Sequence, residues 1–331
     1  MMMKKNSTQV PYFTLAAYLD SGDMKFLYFL VLLTVYVLIV GANVFLIVVI
    51  CMNRSLHEPM YMFLLSLFVN ELYGSTGLFP FLLVQILSDL HTVPAPLCFL
   101  QIFIVYSYGG VEYLSLAVMS YDRYVAVCCP LHYKSLMTAD RTAALIVLTW
   151  SYPLVLITVM VCMTSSLQLC GNVINKVYCD NYSVVKLSCS DAFVNNIYGL
   201  ITTFCTIIFP LVLIIFTYVK IFRVCLHGSK QTRQKAVSTC TPHLAVLLNF
   251  SFGACFETLQ SRFDMSRVPA VLRIFLSLYS VASLPLFNPL MYGLNVSKIR
   301  LGARSLISTM FSEGRQKIQA LQSLFRTHRK R

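Results

Sequence analysis

Two carboxylates and one arginine are the residues of this chain best placed to do chemistry. Glu71 and Glu112 stand inside long apolar stretches. Burying a charged carboxylate in hydrocarbon is expensive, so such residues mark function by default. Glu71 is 11 residues past Met60 and Glu112 is 11 residues before Arg123. At 1.5 Å per helical residue both lie roughly 16 Å from the same membrane edge, so they can meet. Two acids at one depth suit a shared proton or a bound cation, with sodium preferred, or else two neutral acids hydrogen-bonded to neighbours. Arg123 follows Asp122 directly. A guanidinium keeps its charge, so its partners decide its state.

The elements that must hold these groups follow from composition. The chain has 331 residues, 57% hydrophobic and 12% charged. Soluble domains carry roughly 25% charged residues, so a bilayer is the expected solvent. A spanning helix needs about 20 apolar residues. Seven such stretches lie at about 26–51, 60–86, 97–127, 141–165, 193–223, 236–260 and 270–293. They are continuously apolar, which favours helices over the alternating strands of a barrel. The expected fold is an all-α membrane protein, a bundle of seven transmembrane helices over 26–295. An N-terminal segment, 1–25, precedes it. A short amphipathic helix and basic tail, 296–331, follow. The first helix is expected to act as its own insertion signal.

With the N-terminus outside, 18 of the 26 Lys and Arg fall on the cytoplasmic side, as the positive-inside rule asks. The sequon at Asn6 then sits where a glycan can be added. The net charge of +13 reads as this bias plus a basic tail, either solvated or lying on anionic lipid, and needs no nucleic-acid partner. Cys98, Cys170, Cys179 and Cys189 fall at or beyond the outer helix ends. They allow three pairings, and spacing alone does not choose among them. A bond from Cys98 into the polar loop 166–192 would lay that loop over the bundle mouth as a lid.

Along the third helix, Val105, Gly109, Glu112, Leu116, Met119 and Arg123 recur at helical spacing and share one face. That face joins a small apolar outer region to a mid-membrane acid and then to the arginine. Gly109 and Gly110 open a cavity there or let helices pack closely. No serine nucleophile motif or HExxH occurs, so an enzyme is not expected. The odd helix number and the lack of an internal repeat argue against a transporter or channel.

Several motifs resemble one family. The run from Met119 through Asp122-Arg123-Tyr124 to Leu131 is similar to the odorant receptor signature MAYDRYVAIC-x-PL. Leu56-His57-Glu58-Pro59-Met60-Tyr61 resembles its first inner loop, and Lys235 to Leu244 resembles KAFSTC-x-SHL. Pro285 to Tyr292, with Asn288, resembles the PxLNPxxY end of the seventh helix, and Asn43 fits the first-helix asparagine. The resemblance implies a rhodopsin-like odorant receptor in the plasma membrane that activates a stimulatory, olfactory-type G protein and raises cAMP. A pheromone or hormone receptor of the same fold is the alternative. The resemblance also implies the bonds Cys98–Cys179 and Cys170–Cys189, a sodium site at Glu71 and Glu112, and a switch made by Asp122, Arg123, Tyr124, Tyr218, Asn288 and Tyr292. Glu71 stands where the family usually has Asp, and Pro242 where it has Ser. The long lid and Arg262-Phe263 suggest the class that includes fish and water-borne odorant receptors.

The ligand pocket is expected under the lid, between the third, fifth, sixth and seventh helices. Its candidates are Val105, Tyr106, Gly109, Thr202, Thr206, Ser251, Thr258 and Arg262. Arg262 is 20 residues past Pro242, roughly 30 Å up the sixth helix. There it could grip an anionic odorant bidentately, or stand in water, or pair with Glu257 or Asp264. Val105 occupies the place where amine receptors carry an aspartate, so an amine held by that contact is disfavoured. No cofactor beyond a sodium ion is expected.

Overall fold

A computed structural model describes residues 10–18, 24–227, 230–262, 270–308 and 312. Among the described residues seven long helices form a bundle: α1 (Lys25–Met52), α2 (Pro59–Leu87), α3 (Ala95–Cys128), α4 (Ala139–Ser165), α5 (Phe193–Leu226), α6 (Lys230–Arg262) and α7 (Ala270–Asn295). Residues 297–308 form α8. The first five are long and apolar enough to cross a membrane. In α6 the polar run Lys230–Thr241 precedes a shorter apolar stretch, His243–Phe256. α7 has 26 residues, about 39 Å at 1.5 Å each, enough for a hydrocarbon core of about 30 Å.

Local chemistry sets the helix ends and bends. Pro59 opens α2, where its missing N–H costs nothing. Thr138 caps α4 by accepting from the Arg141 N–H at 3.4 Å. α5 widens into one π turn at Phe204–Ile208. Pro210 stands two residues beyond it, and it cannot donate back to the carbonyl four residues earlier, which is Thr206. α8 is amphipathic: Ile299, Ala303 and Leu306 pack on the core at a spacing of one helix face.

α3 is the central element. In its apolar window 56% is buried, against 22% in α4 and α5, which turn apolar side chains outward. That outward face suits lipid, where no polar surface is wanted. Most of the core falls into two large clusters. At one end Leu64, Phe68, Leu116, Met119, Phe250 and Tyr292 pack together. At the other, Phe13, Phe79, Leu82, Ile102 and Tyr178 do so. A polar seam of Asn43, Asn70, Glu71, Glu112 and Asn288, all at 0% exposure, lies between them.

The end containing Phe13 carries a lid. Strand β1 (Tyr12–Leu15) lies between β2 (Thr92–Pro94), antiparallel, and β3 (Val173–Ile174), parallel. The Leu15 amide donates to the His91 carbonyl at 2.8 Å and the Thr14 amide to the Asn172 carbonyl at 2.7 Å. The segment before α1 is thereby laced to two loops of the bundle mouth. Disulfides Cys98–Cys179 and Cys170–Cys189 anchor the same loop. The other eight cysteines, among the described residues, are free thiols.

Candidate functional site

Three tiers stand along α3. The uppermost is a cavity of about 130 Å³ beneath the lid. Its walls include Gly74 and Leu78 of α2, Val105 and Tyr108 of α3, and Phe250 of α6, and its ceiling is Tyr178 of the lid. Glycines open it. Gly74, Gly109 and Gly253 each border the space with no side chain. A Cβ added at Gly109 would meet nothing closer than the Phe250 ring at 4.0 Å.

The lid is held by buried polar contacts. The Cys179 amide donates to the Gln101 side chain at 2.7 Å, and the Tyr18 hydroxyl to the Val177 carbonyl at 2.7 Å. Burial pushes the Tyr18 phenol up, so it stays a neutral donor. Asp180 accepts from the Tyr106 hydroxyl at 2.8 Å and from the Ser183 amide and hydroxyl at 3.0 and 2.8 Å. Burial alone would raise its pKa. The Lys176 ammonium at 3.7 Å and these donors outweigh burial and hold it below the ordinary value.

The middle tier is the carboxylate pair. The Asn288 amide of α7 donates to Glu71 Oε1 and, at 2.8 Å, to Glu112 Oε1. Tyr108 donates its hydroxyl to Glu71 Oε2 at 2.7 Å, and Asn70 donates to Glu112 Oε2 at 3.2 Å. Asn70 Oδ1, Asn288 Oδ1 and the Ser115 hydroxyl are buried in this neighbourhood without a hydrogen-bond partner. Two carboxylates and three orphaned oxygens are a hard, all-oxygen donor set of the kind that suits a cation such as sodium. Among the described residues no group of three or more His, Cys, Asp and Glu side chains is gathered for a transition metal.

The lowest tier holds Asp122 and Arg123, expected from the sequence to form a switch. Arg123 Nε donates to Asp122 Oδ2 at 2.9 Å, and a second guanidinium nitrogen pairs with the same oxygen. Asp122 Oδ1 accepts from Tyr133 in the loop after α3 at 2.8 Å. Burial, and next to it the Asp122 charge, push the Tyr133 phenol up, so it remains a donor. Tyr292 of α7 bonds the buried His243 ring of α6 at 3.0 Å. Tyr124 and Tyr218 flank Cys225 and Cys240, joining α3, α5 and α6. Lys298 of α8 meets Glu58 at 2.7 Å.

Comparison with known proteins decides the family. The family model described as olfactory receptor matches residues 32–313. The chain is 33% identical to human (Homo sapiens) olfactory receptor 10A6 over 90% of this chain and 95% of the relative. It is 35% identical to human olfactory receptor 11A1, over 89% and 93%. Mouse (Mus musculus) olfactory receptor 6E1 is 32% identical over 92% and 97%. The chain belongs to the olfactory receptor family. It is therefore a rhodopsin-like seven-helix odorant receptor of the plasma membrane and not an enzyme.

Of the residues expected to bind ligand in this olfactory receptor, Val105 and Gly109 line the cavity. Tyr106 is tied to Asp180 in the lid. Thr202 and Thr206 are buried on α5, with Thr206 near Gly110 of α3 and Pro153 of α4. Ser251 is half-buried on α6 away from the walls. The side chains of Thr258 and Arg262, and Asn6, lie outside the described residues. α2 takes the place expected of α5 in the wall, because Gly74 leaves room there for Tyr108. Sequence reading missed Tyr108, Asn70, Tyr133, Tyr178 and His243. For Tyr108 a signal exists: it stands one turn above Glu112.

Proposed function

We propose that this receptor sits with its N-terminus and lid outside the cell and binds a small, mainly apolar odorant in the cavity. Occupancy then releases Arg123 to engage a stimulatory, olfactory-type G protein and raise cAMP. The observation that carries this reading is the stacking of cavity, carboxylate pair and Arg123 on one helix. The volume of about 130 Å³ is close to the roughly 150 Å³ cavity known to take benzene. Described lining residues carry no charge, which favours a neutral body. A receptor holds two arrangements a few kcal/mol apart, and a ligand biases the one it fits better. Breaking the Asp122–Arg123–Tyr133 contacts and the Tyr292–His243 bond frees the helix ends that must part.

Glu71, Glu112, Asn288, Asn70 and Ser115 would hold a sodium ion, which would neutralise the paired acids. The basic face of α8 and the tail would lie on anionic lipid. The second reading is an acidic odorant whose head group pairs with the Arg262 guanidinium, motivated by that charge 20 residues past Pro242.

The test is cAMP in cells that express the chain with the G protein, challenged with neutral and acidic odorants. Odorant-dependent cAMP that Val105→Trp weakens about tenfold or more supports the reading, since a filled cavity leaves no room. Odorant-dependent current or uptake without cAMP overturns it. Arg262→Ala separates the ligand classes: loss of about tenfold for acids alone, the weight of one charged hydrogen bond, assigns the head group to Arg262. Glycosidase treatment that shifts the wild type but not Asn6→Gln supports the outward N-terminus.

A further inference from the structure

Tyr108 belongs to two tiers at once. Its ring is part of the cavity wall, and its hydroxyl donates to Glu71 Oε2 at 2.7 Å. Among the described residues it is the lining side chain that bonds the carboxylate pair. Ser75, also in the wall, bonds the Glu71 backbone carbonyl instead. The ring's position is fixed from below and beside. Gly74 faces it so closely that an added Cβ would stand 2.4 Å from Cδ2. The Tyr108 carbonyl accepts from Asn70 at 3.2 Å, and Asn70 in turn bonds Glu112. Gly74 is three residues from Glu71, and Tyr108 four from Glu112, so each pair shares a helix face.

We propose that Tyr108 is the positioning residue through which an occupant of the cavity acts on the carboxylate pair. The proposal rests on the cavity being the odorant site. An occupant that presses on the ring slides it along the bare backbone of Gly74, which it already touches. The hydroxyl then leaves Glu71, and a fully buried carboxylate loses one of its donors. Such a loss is large at zero exposure, because no water replaces the bond. Glu71 shares the Asn288 amide with Glu112, so the change passes to α3 and α7 together. A ligand that leaves Tyr108 in place would bind without signalling by this route.

A tethered occupant tests this without knowing the odorant. Gly109→Cys places a thiol at the open wall, and benzyl methanethiosulfonate adds a benzyl group in the cavity. Mass spectrometry verifies the adduct, and surface labelling verifies folding. Wild type treated alike controls for native thiols. The expected result is a several-fold change in basal cAMP on labelling Gly109→Cys, abolished when Tyr108→Phe is added. Tyr108→Phe keeps the ring and the wall and removes only the bond. Glu71→Gln should abolish the change too, and the two variants together should do no more than either alone. An equal change with and without Tyr108→Phe overturns the proposal but leaves the cavity as the odorant site. No change in either overturns both.

Discussion

Asn288 is the residue on which the polar seam depends most. One amide group serves two carboxylates from two helices. Without it, Glu71 and Glu112 face each other with fewer donors and no access to water. Hydrogen bonds to charged groups are worth about 1.5–3 kcal/mol each. Asn288→Ala should therefore destabilise the receptor by about 3 kcal/mol or more, read as a lower melting temperature of the detergent-solubilised chain. Tyr133 acts at the opposite edge. Its bond to Asp122 helps hold that carboxylate against Arg123. Tyr133→Phe removes a bond to a charged carboxylate, worth about 1.5 kcal/mol or more, and should raise basal cAMP about ten-fold with the odorant-stimulated maximum unchanged. The acids and the arginine were legible in the sequence because charge stands out in an apolar run. Their donors were not. Tyr108, Asn70 and Tyr133 are ordinary residues in a membrane helix or loop, and only the pairing of helices shows what they bond.

The two adjacent glycines of α3 show how an element divides its work. Sequence alone left both a cavity and close packing open for Gly109 and Gly110, and each glycine takes one role. Gly109 borders the cavity. Gly110 packs on α4, where an added Cβ would stand 2.8 Å from Pro153 Cβ. Pro153 lies within α4 and cannot yield by turning a flexible side chain. Gly110→Ala should therefore cost about 1–3 kcal/mol by overpacking, while Gly109→Ala leaves the melting temperature nearly unchanged. Thermal unfolding of the two variants side by side checks this. The helices themselves were readable from apolar length. The π turn of α5 was not, because Pro210 marks a lost hydrogen bond in the run but not whether the helix there kinks or widens. Nor does helical spacing reveal that α2, opened by Gly74, rather than α5 would face the cavity.

The mouth of the molecule is closed by strands too short to notice. β1, β2 and β3 have four, three and two residues and come from distant segments, so no local pattern foretells their pairing. Tyr18 stacks on His91 at 4.9 Å beside this sheet. Burial lowers the His91 pKa below 6.5, with Asp89 opposing this and Lys25 adding to it. The unfolded loop then binds a proton that the folded one resists, so the sheet has its full stability above about pH 6.5 and loses it as the pH falls below. Amide exchange at Thr14 and Leu15, corrected for intrinsic rates, should quicken between about pH 7.5 and pH 5.5. His91→Phe, which keeps the stacking, should remove that dependence. The same sheet also sets an order of events during synthesis. Tyr18 waits for Val177, 159 residues later in the chain. At roughly 5–20 residues per second, that is a delay on the order of 10–30 s. The first strand to be made thus waits for about half of the chain, and the lid cannot close until the fourth helix has been made.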